Sequence, residues 1–243
     1  MTSATLRDSS QARCLRVGHS VIKAGSRLDE LPARLAGAGW DMVELDVLTR
    51  GGELVVAHDP ADLDHPQPVP FAEALAALRD VLGADTRFDV DVKATGYEHQ
   101  VIEAVRAAGL TGRTLVSTME LSSLKIIRAA APELALGLSV PKARRDYLAS
   151  PLTRPAAYGM LAYLRRVLPG QTSRVLRAGE ADAIMAHWGV VTARLVQAVR
   201  GTGAELYAWT VDDPQRLLTL ERLGVTGVIT NDRELFARAG LAT

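Results

Sequence analysis

Two histidines and a set of alternating acidic residues give this sequence its chemistry. His19 stands in VGHS and His58 in ELVVAHDP, on either side of MVELDV, where Glu44 and Asp46 lie two residues apart. A second acidic run, FDVDVKATG, places Asp89, Asp91 and Lys93 at successive odd positions. In a β-strand, residues i, i+2 and i+4 share a face, so each set points one way. Val43, Leu45 and Val47 then take the opposite face. Carboxylates gathered in this way suit a hard cation such as Mg2+ or Ca2+, which takes oxygen ligands. Histidine titrates near neutrality, so the pair offers a general acid and a general base.

Each residue also has a plainer reading. A lone histidine such as His19 is commonly packed or capped, and His58 before Asp59-Pro60 fits the start of a turn. Glu44 and Asp46 fit inward charges paired with a buried lysine or arginine. The conjunction is harder to explain that way, because burying so many ionisable groups together is costly without a compensating ion. His65 and His99 read as exposed loop and helix-start residues. His187, in IMAHWG, reads as a wall or structural residue, and Trp209, in LYAWTVDD, as a pocket wall or a core ring. Asp29 and Glu30 suit a helix N-terminus, and nothing marks Cys14 as a nucleophile.

The elements that must position these residues alternate regularly. Short runs rich in Val, Ile and Leu at 15–19, 42–47, 87–92, 114–117, 135–140, 183–186, 206–210 and 227–230 predict strands. Helical periodicity follows each, near 28–38, 71–82, 97–108, 121–130, 143–166, 192–202, 213–223 and 232–239. Strand–helix alternation predicts parallel pairing. Eight such units in 243 residues match a single (β/α)8 TIM barrel spanning 1–243. A doubly wound open sheet is the alternative, but no glycine fingerprint follows the first strand. Pro151, Pro155, Pro169 and Gly170 predict a broken helix or an extended loop within 149–180. In a barrel the strand ends carry the site, which puts His19, Glu44, Asp46, Asp91 and Lys93 at one mouth.

Composition narrows the class. Lys+Arg and Asp+Glu both number 28, for a net charge of zero, and a nucleic-acid partner would need a positive field. One cysteine excludes an intrachain disulfide and suits a reducing cytoplasm. No apolar run approaches the roughly 18 residues of a membrane span. The polar MTSATLRDSSQARC start has no apolar signal-peptide region. A soluble cytoplasmic protein is expected.

Taken together, VGHS, MVELDVLTRGGELVVAHDP, FDVDVK, LVSTMELSSLKIIRAAAPELALGL and AWTVDD…LGVTGVITND resemble the glycerophosphodiester phosphodiesterase family over nearly the whole chain. The resemblance implies that His19 and His58 are the acid–base couple and that Glu44, Asp46 and Asp91 hold the metal. It implies that Lys93 faces the phosphate and that Trp209 lines the cleft. There are departures. Ser20 stands where the family has arginine, Ser26, Arg27 and Leu28 where it has Glu-Asn-Thr, and Asp91 where it has glutamate. The insertion after His-Asp shrinks to residues 61–68. Some of these features are similar to the sphingomyelinase D-type phospholipase D branch, although this chain keeps His-Asp. Loss of the arginine removes a bidentate phosphate contact, leaving Arg27 or Lys142 to compensate or a looser grip.

The expected activity is metal-dependent hydrolysis of small glycerophosphodiesters, with a cyclic phosphate as one route. A phospholipase D-like action on lysophospholipids is the alternative. A non-catalytic phosphodiester-binding module is disfavoured by retention of both histidines and all three carboxylates.

Overall fold

The computed structural model describes residues 13–142 and 154–241. The polar N-terminal stretch, the predicted helix start at 143 and Pro151 lie outside the described residues. Parallel strands β1 (Leu15–Gly18), β2 (Met42–Arg50), β5 (Arg87–Val92), β6 (Thr114–Thr118), β7 (Ala135–Val140), β8 (Ala183–His187), β9 (Glu205–Trp209) and β10 (Gly227–Thr230) pair in that order. β1 pairs with both β2 and β10, which closes the barrel. The remaining strands, β3 (Glu53–Val56) and β4 (Val69–Pro70), add an antiparallel extension to β2.

Strand alternation sorts the side chains. Val43, Leu45, Val47, Val90 and Val92 face outward into the main apolar cluster with the helices. Inside, Val17, Met42, Leu115, Met185, Tyr207 and Ile229 fill the floor. Arg87 pairs with Glu205 and donates to the Tyr207 hydroxyl at the bottom. The acidic residues of β2 and β5, Glu44, Asp46, Asp89 and Asp91, lie above this apolar plug, toward the mouth.

Helices α1 (Leu31–Leu35), α2 (Phe71–Val81), α3 (Glu98–Ala107), α4 (Leu121–Ala130), α5 (Arg154–Arg177), α6 (Ala193–Arg200), α7 (Pro214–Leu223) and α8 (Leu235–Arg238) surround the barrel. Three differ from the sequence expectation. α1 is much shorter than 28–38, because Gly37 and Gly39 both take positive φ and end it early. α8 is a single turn. α5 runs unbroken through Pro169 and Gly170, where a break or a loop was expected. Burial of Leu168, Thr172 and Leu176 outweighs the local proline penalty, and the Thr172 hydroxyl donates to the Leu168 carbonyl at 2.8 Å.

The β2–β3 hairpin was also not anticipated. Its two-residue turn is Gly51-Gly52, with φ of 61° and 88°. Consecutive positive φ values make the turn whose twist suits a hairpin. β3 returns the chain to the barrel mouth, where it delivers His58.

Candidate active site

β2 and β5 run in register, with Glu44 opposite Asp89 and Asp46 opposite Asp91. Oxygens of Glu44, Asp46 and Asp91 all lie within 4.8 Å of one another. The Lys93 ammonium sits 2.5 Å from both Asp46 Oδ1 and Asp91 Oδ2. The pairing of inward carboxylates with a buried cation is therefore real, but one ammonium cannot balance this many carboxylates. The excess shows in their proton affinities. Burial, then the neighbouring Asp46, raises Glu44 well above the carboxylate range. Burial raises Asp91 against the opposing pull of Lys93. Asp89, one layer down, is pushed up to about 8 by burial and by Asp91. Asp46 alone falls below its ordinary value, since Lys93 and Ser20 outweigh the effect of burial. A buried surplus of hard oxygen donors fits a divalent cation on Glu44, Asp46 and Asp91.

His19 follows β1 directly, and its N–H donates to the Thr230 carbonyl at 2.9 Å. Its Nδ1 lies 2.9 Å from Asn231 Oδ1. Asn231 Nδ2 donates to Asp212 Oδ2 at 3.0 Å, while Asp212 Oδ1 accepts from Asn231 N and the Thr230 hydroxyl. An ionised carboxylate only accepts, so the Asn231 amide group must face Asp212 and its oxygen must face His19. The His19 proton then resides on Nδ1, leaving the Nε2 lone pair on the site side, 3.7 Å from Glu44 Oε2. Burial holds His19 below the usual histidine range, against the opposing effect of Asn231. The neutral ring is the resting form near pH 7.

His58 reaches the same mouth from β3. Its N–H donates to Asp62 Oδ2 at 2.8 Å, and Asp59 caps the short helical turn at Pro60–Asp64. The turn reading of His58-Asp59-Pro60 is thus also correct, because that turn anchors the histidine. The two imidazole rings are 5.9 Å apart, edge to face. The His58 side chain is 53% exposed, against 19% for His19.

On the far rim, Trp209 and His187 sit opposite each other on adjacent strands with ring centroids 5.2 Å apart. The Trp209 Nε1–H donates to the Met185 carbonyl at 2.9 Å. Trp209 is half-buried at the strand end and packs on the interior apolar cluster. Arg27 forms ion pairs with Asp29 and Glu30, and Lys142 with Glu120, so both cations named as substitutes for the missing arginine are engaged elsewhere. His65 is not the freely exposed loop residue expected. It is half-buried with its ring against Gly25, close enough that a Cβ there would lie 2.3 Å from it. His99 is exposed as expected.

The sequence assigns no role to Asp212 or Asn231, and it marks Ser20 only as the residue in place of the family's arginine. Counting alternate residues along β10 from Gly227 through Ile229 places Asn231 on the inward face, the same arithmetic that located Glu44 and Asp46. Ser20 carries no such signal, because its role depends on the turn after His19.

Residues 84–235 match the family model of the Glycerophosphoryl diester phosphodiesterase family. A glycerophosphodiester phosphodiesterase of Arabidopsis thaliana is 34% identical over 96 residues, or 39% of this chain and 29% of that protein. A glycerophosphodiester phosphodiesterase of Caldanaerobacter subterraneus is 24% identical over 81% of this chain and 84% of that one. Among solved structures, a phosphodiesterase of Oleispira antarctica in complex with the product sn-glycerol-3-phosphate superposes with a TM-score of 0.64. That match has 16% identity and covers 95% of this chain and 98% of the other, a likeness of fold.

Proposed function

The chain belongs to the glycerophosphoryl diester phosphodiesterase family, a family of phosphodiester hydrolases, and we propose that it cleaves glycerophosphodiesters to an alcohol and glycerol phosphate. The observation that carries this reading is the meeting of three carboxylates, a lysine and two histidines at one end of the barrel. Glu44, Asp46 and Asp91 would hold one divalent cation, Mg2+ or Ca2+. When bound, such an ion supplies positive charge to the non-bridging phosphate oxygens.

The chain's own residues do the rest. Lys93 presents an ammonium to the phosphate from between Asp46 and Asp91. His19 Nε2, bare because Asn231 holds the proton on Nδ1, takes the proton of the attacking hydroxyl. That hydroxyl belongs to water or to the neighbouring carbon of the substrate's glycerol, and the second route gives a cyclic phosphate. His58 protonates the departing alkoxide and recovers its proton from solvent, to which it is half open. Each proton transfer contributes about 10² to 10⁴ in rate. Trp209 lines the cleft beyond the phosphate.

Exposure of His58 on the side where the insertion is short favours a second substrate class, lysophospholipids, whose bulk would project through that opening. Nothing in the charge balance favours a nucleic acid, and no described helix is long and apolar enough to cross a membrane. We treat 1–243 as one barrel domain and, from the buried lone Cys14, assign it to the cytoplasm. The test is turnover of a panel of glycerophosphodiesters and lysophospholipids after chelation, then with Mg2+ or Ca2+ restored. Metal-dependent release of glycerol phosphate supports the proposal. Inertness toward the whole panel, or turnover unaffected by chelator, overturns it.

A further inference from the structure

Ser20, directly after His19, is used for something other than the phosphate grip that an arginine would give there. It is 3% exposed and adopts a left-handed backbone with φ of 43°. That turn aims its N–H at Glu44 Oε2, 2.7 Å away, while its hydroxyl donates to Asp46 Oδ2. The next N–H, of Val21, donates to the Glu44 carbonyl at 3.1 Å and ties the turn to β2 itself. One residue therefore engages one oxygen on each of two neighbouring carboxylates. The partner oxygen of Asp46, Oδ1, is left on the Lys93 side. A hydroxyl committed to Asp46 and closed off from solvent cannot also contact a phosphate.

We propose that Ser20 is a positioning residue that sets Glu44 and Asp46 for single-oxygen binding of the cation and leaves the phosphate to Lys93. This rests on the metal reading above. Removing an outer partner of a ligating carboxylate typically weakens metal affinity by about 10- to 100-fold. A non-glycine residue at positive φ carries a backbone cost that glycine does not. Ser20→Gly thus keeps the turn and the N–H to Glu44 and removes only the hydroxyl.

Calorimetric titration of chelator-treated protein with Mg2+ and with Ca2+ tests the inference, with thermal unfolding in chelator as the check on fold. Wild type is expected to bind one ion per chain. Ser20→Gly is expected to bind it about 10-fold or more weakly, with an unfolding temperature close to wild type. Ser20→Ala, which keeps a Cβ at the strained position, is expected to lose affinity likewise and serves if the glycine variant fails to fold. Wild-type affinity in either folded variant overturns the role of Ser20 while leaving the metal reading intact. A wild type that binds neither ion overturns the metal reading, and Ser20's role with it, before any variant is measured.

Discussion

Asn231→Leu should slow the enzyme by a predictable factor. The substitution removes the oxygen 2.9 Å from His19 Nδ1 and leaves Asp212 to its other donors. In the resting state the lost contact is a neutral hydrogen bond worth about 1 kcal/mol, but once His19 has taken a proton it is charge-assisted and worth about 1.5–3 kcal/mol. Only the difference, roughly 0.5–2 kcal/mol, acts on the transition state. That corresponds to a loss of about 2- to 30-fold in kcat/KM. The same difference moves the proton affinity of His19 further down. In wild type the acid limb of kcat/KM should lie below the ordinary histidine value, because burial already lowers His19. In the variant the limb should move further toward acid while the plateau falls. The assay is a pH–rate profile with a soluble glycerophosphodiester at saturating cation, alongside circular dichroism to check the fold. An unchanged plateau together with an unmoved acid limb would refute the orienting role of Asn231.

His19→Ala and His58→Ala should each reduce kcat by about 10²-fold or more, and a residual activity above about a tenth of wild type in either would remove that residue from acid–base duty. His65→Ala should weaken activity less than either, by loosening the loop that packs on Gly25. Asp89→Asn should stabilise the metal-free protein in a pH-dependent way. The folded chain holds the Asp89 proton up to about pH 8, whereas its ordinary value is 3.8. Stability that is present below pH 3.8 is thus lost as pH rises toward 8. The variant should outlast wild type in urea by a margin of a few kcal/mol that grows over this window, and parallel pH profiles would contradict it. A glycerophosphodiester with a large substituent, or a lysophospholipid, should show a higher kcat/KM than glycerophosphocholine, and a clear preference for the smallest substrate would argue against the open mouth.

Much of this site follows from counting residues. Alternation alone puts Glu44, Asp46, Asp91 and Lys93 on the inner faces of two strands, and barrel topology makes those strands neighbours. The pairing of Asp46 with Asp91 needed the register, which no local pattern specifies. The Gly51-Gly52 pair was a legible hairpin signal between two apolar runs, and it explains how the chain turns back from the carboxyl end of β2 to bring His58 to the mouth. The unbroken course of α5 was not legible, because burial along its face overrides the local rule for proline and glycine. Ser20 and the Asp212–Asn231–His19 chain depend on loop conformations after strands, where short-range propensity says little about which side chain meets which. The departures from the family pattern at Ser20 and Asp91 were readable as departures, while what Ser20 does instead required its hydrogen bonds.

On the proposed function, this barrel mouth directs attack at the phosphorus of a phosphodiester and expels an alcohol. Phosphorus NMR of a glycerophosphodiester turned over in 18O-enriched water, with Mg2+ or Ca2+ present, tests it most directly. The expected product is a phosphate monoester that has gained one oxygen from solvent, by direct attack of water or by opening of a cyclic phosphate, together with unlabelled alcohol. A substrate resonance that persists unchanged, or label found in the alcohol, would contradict it.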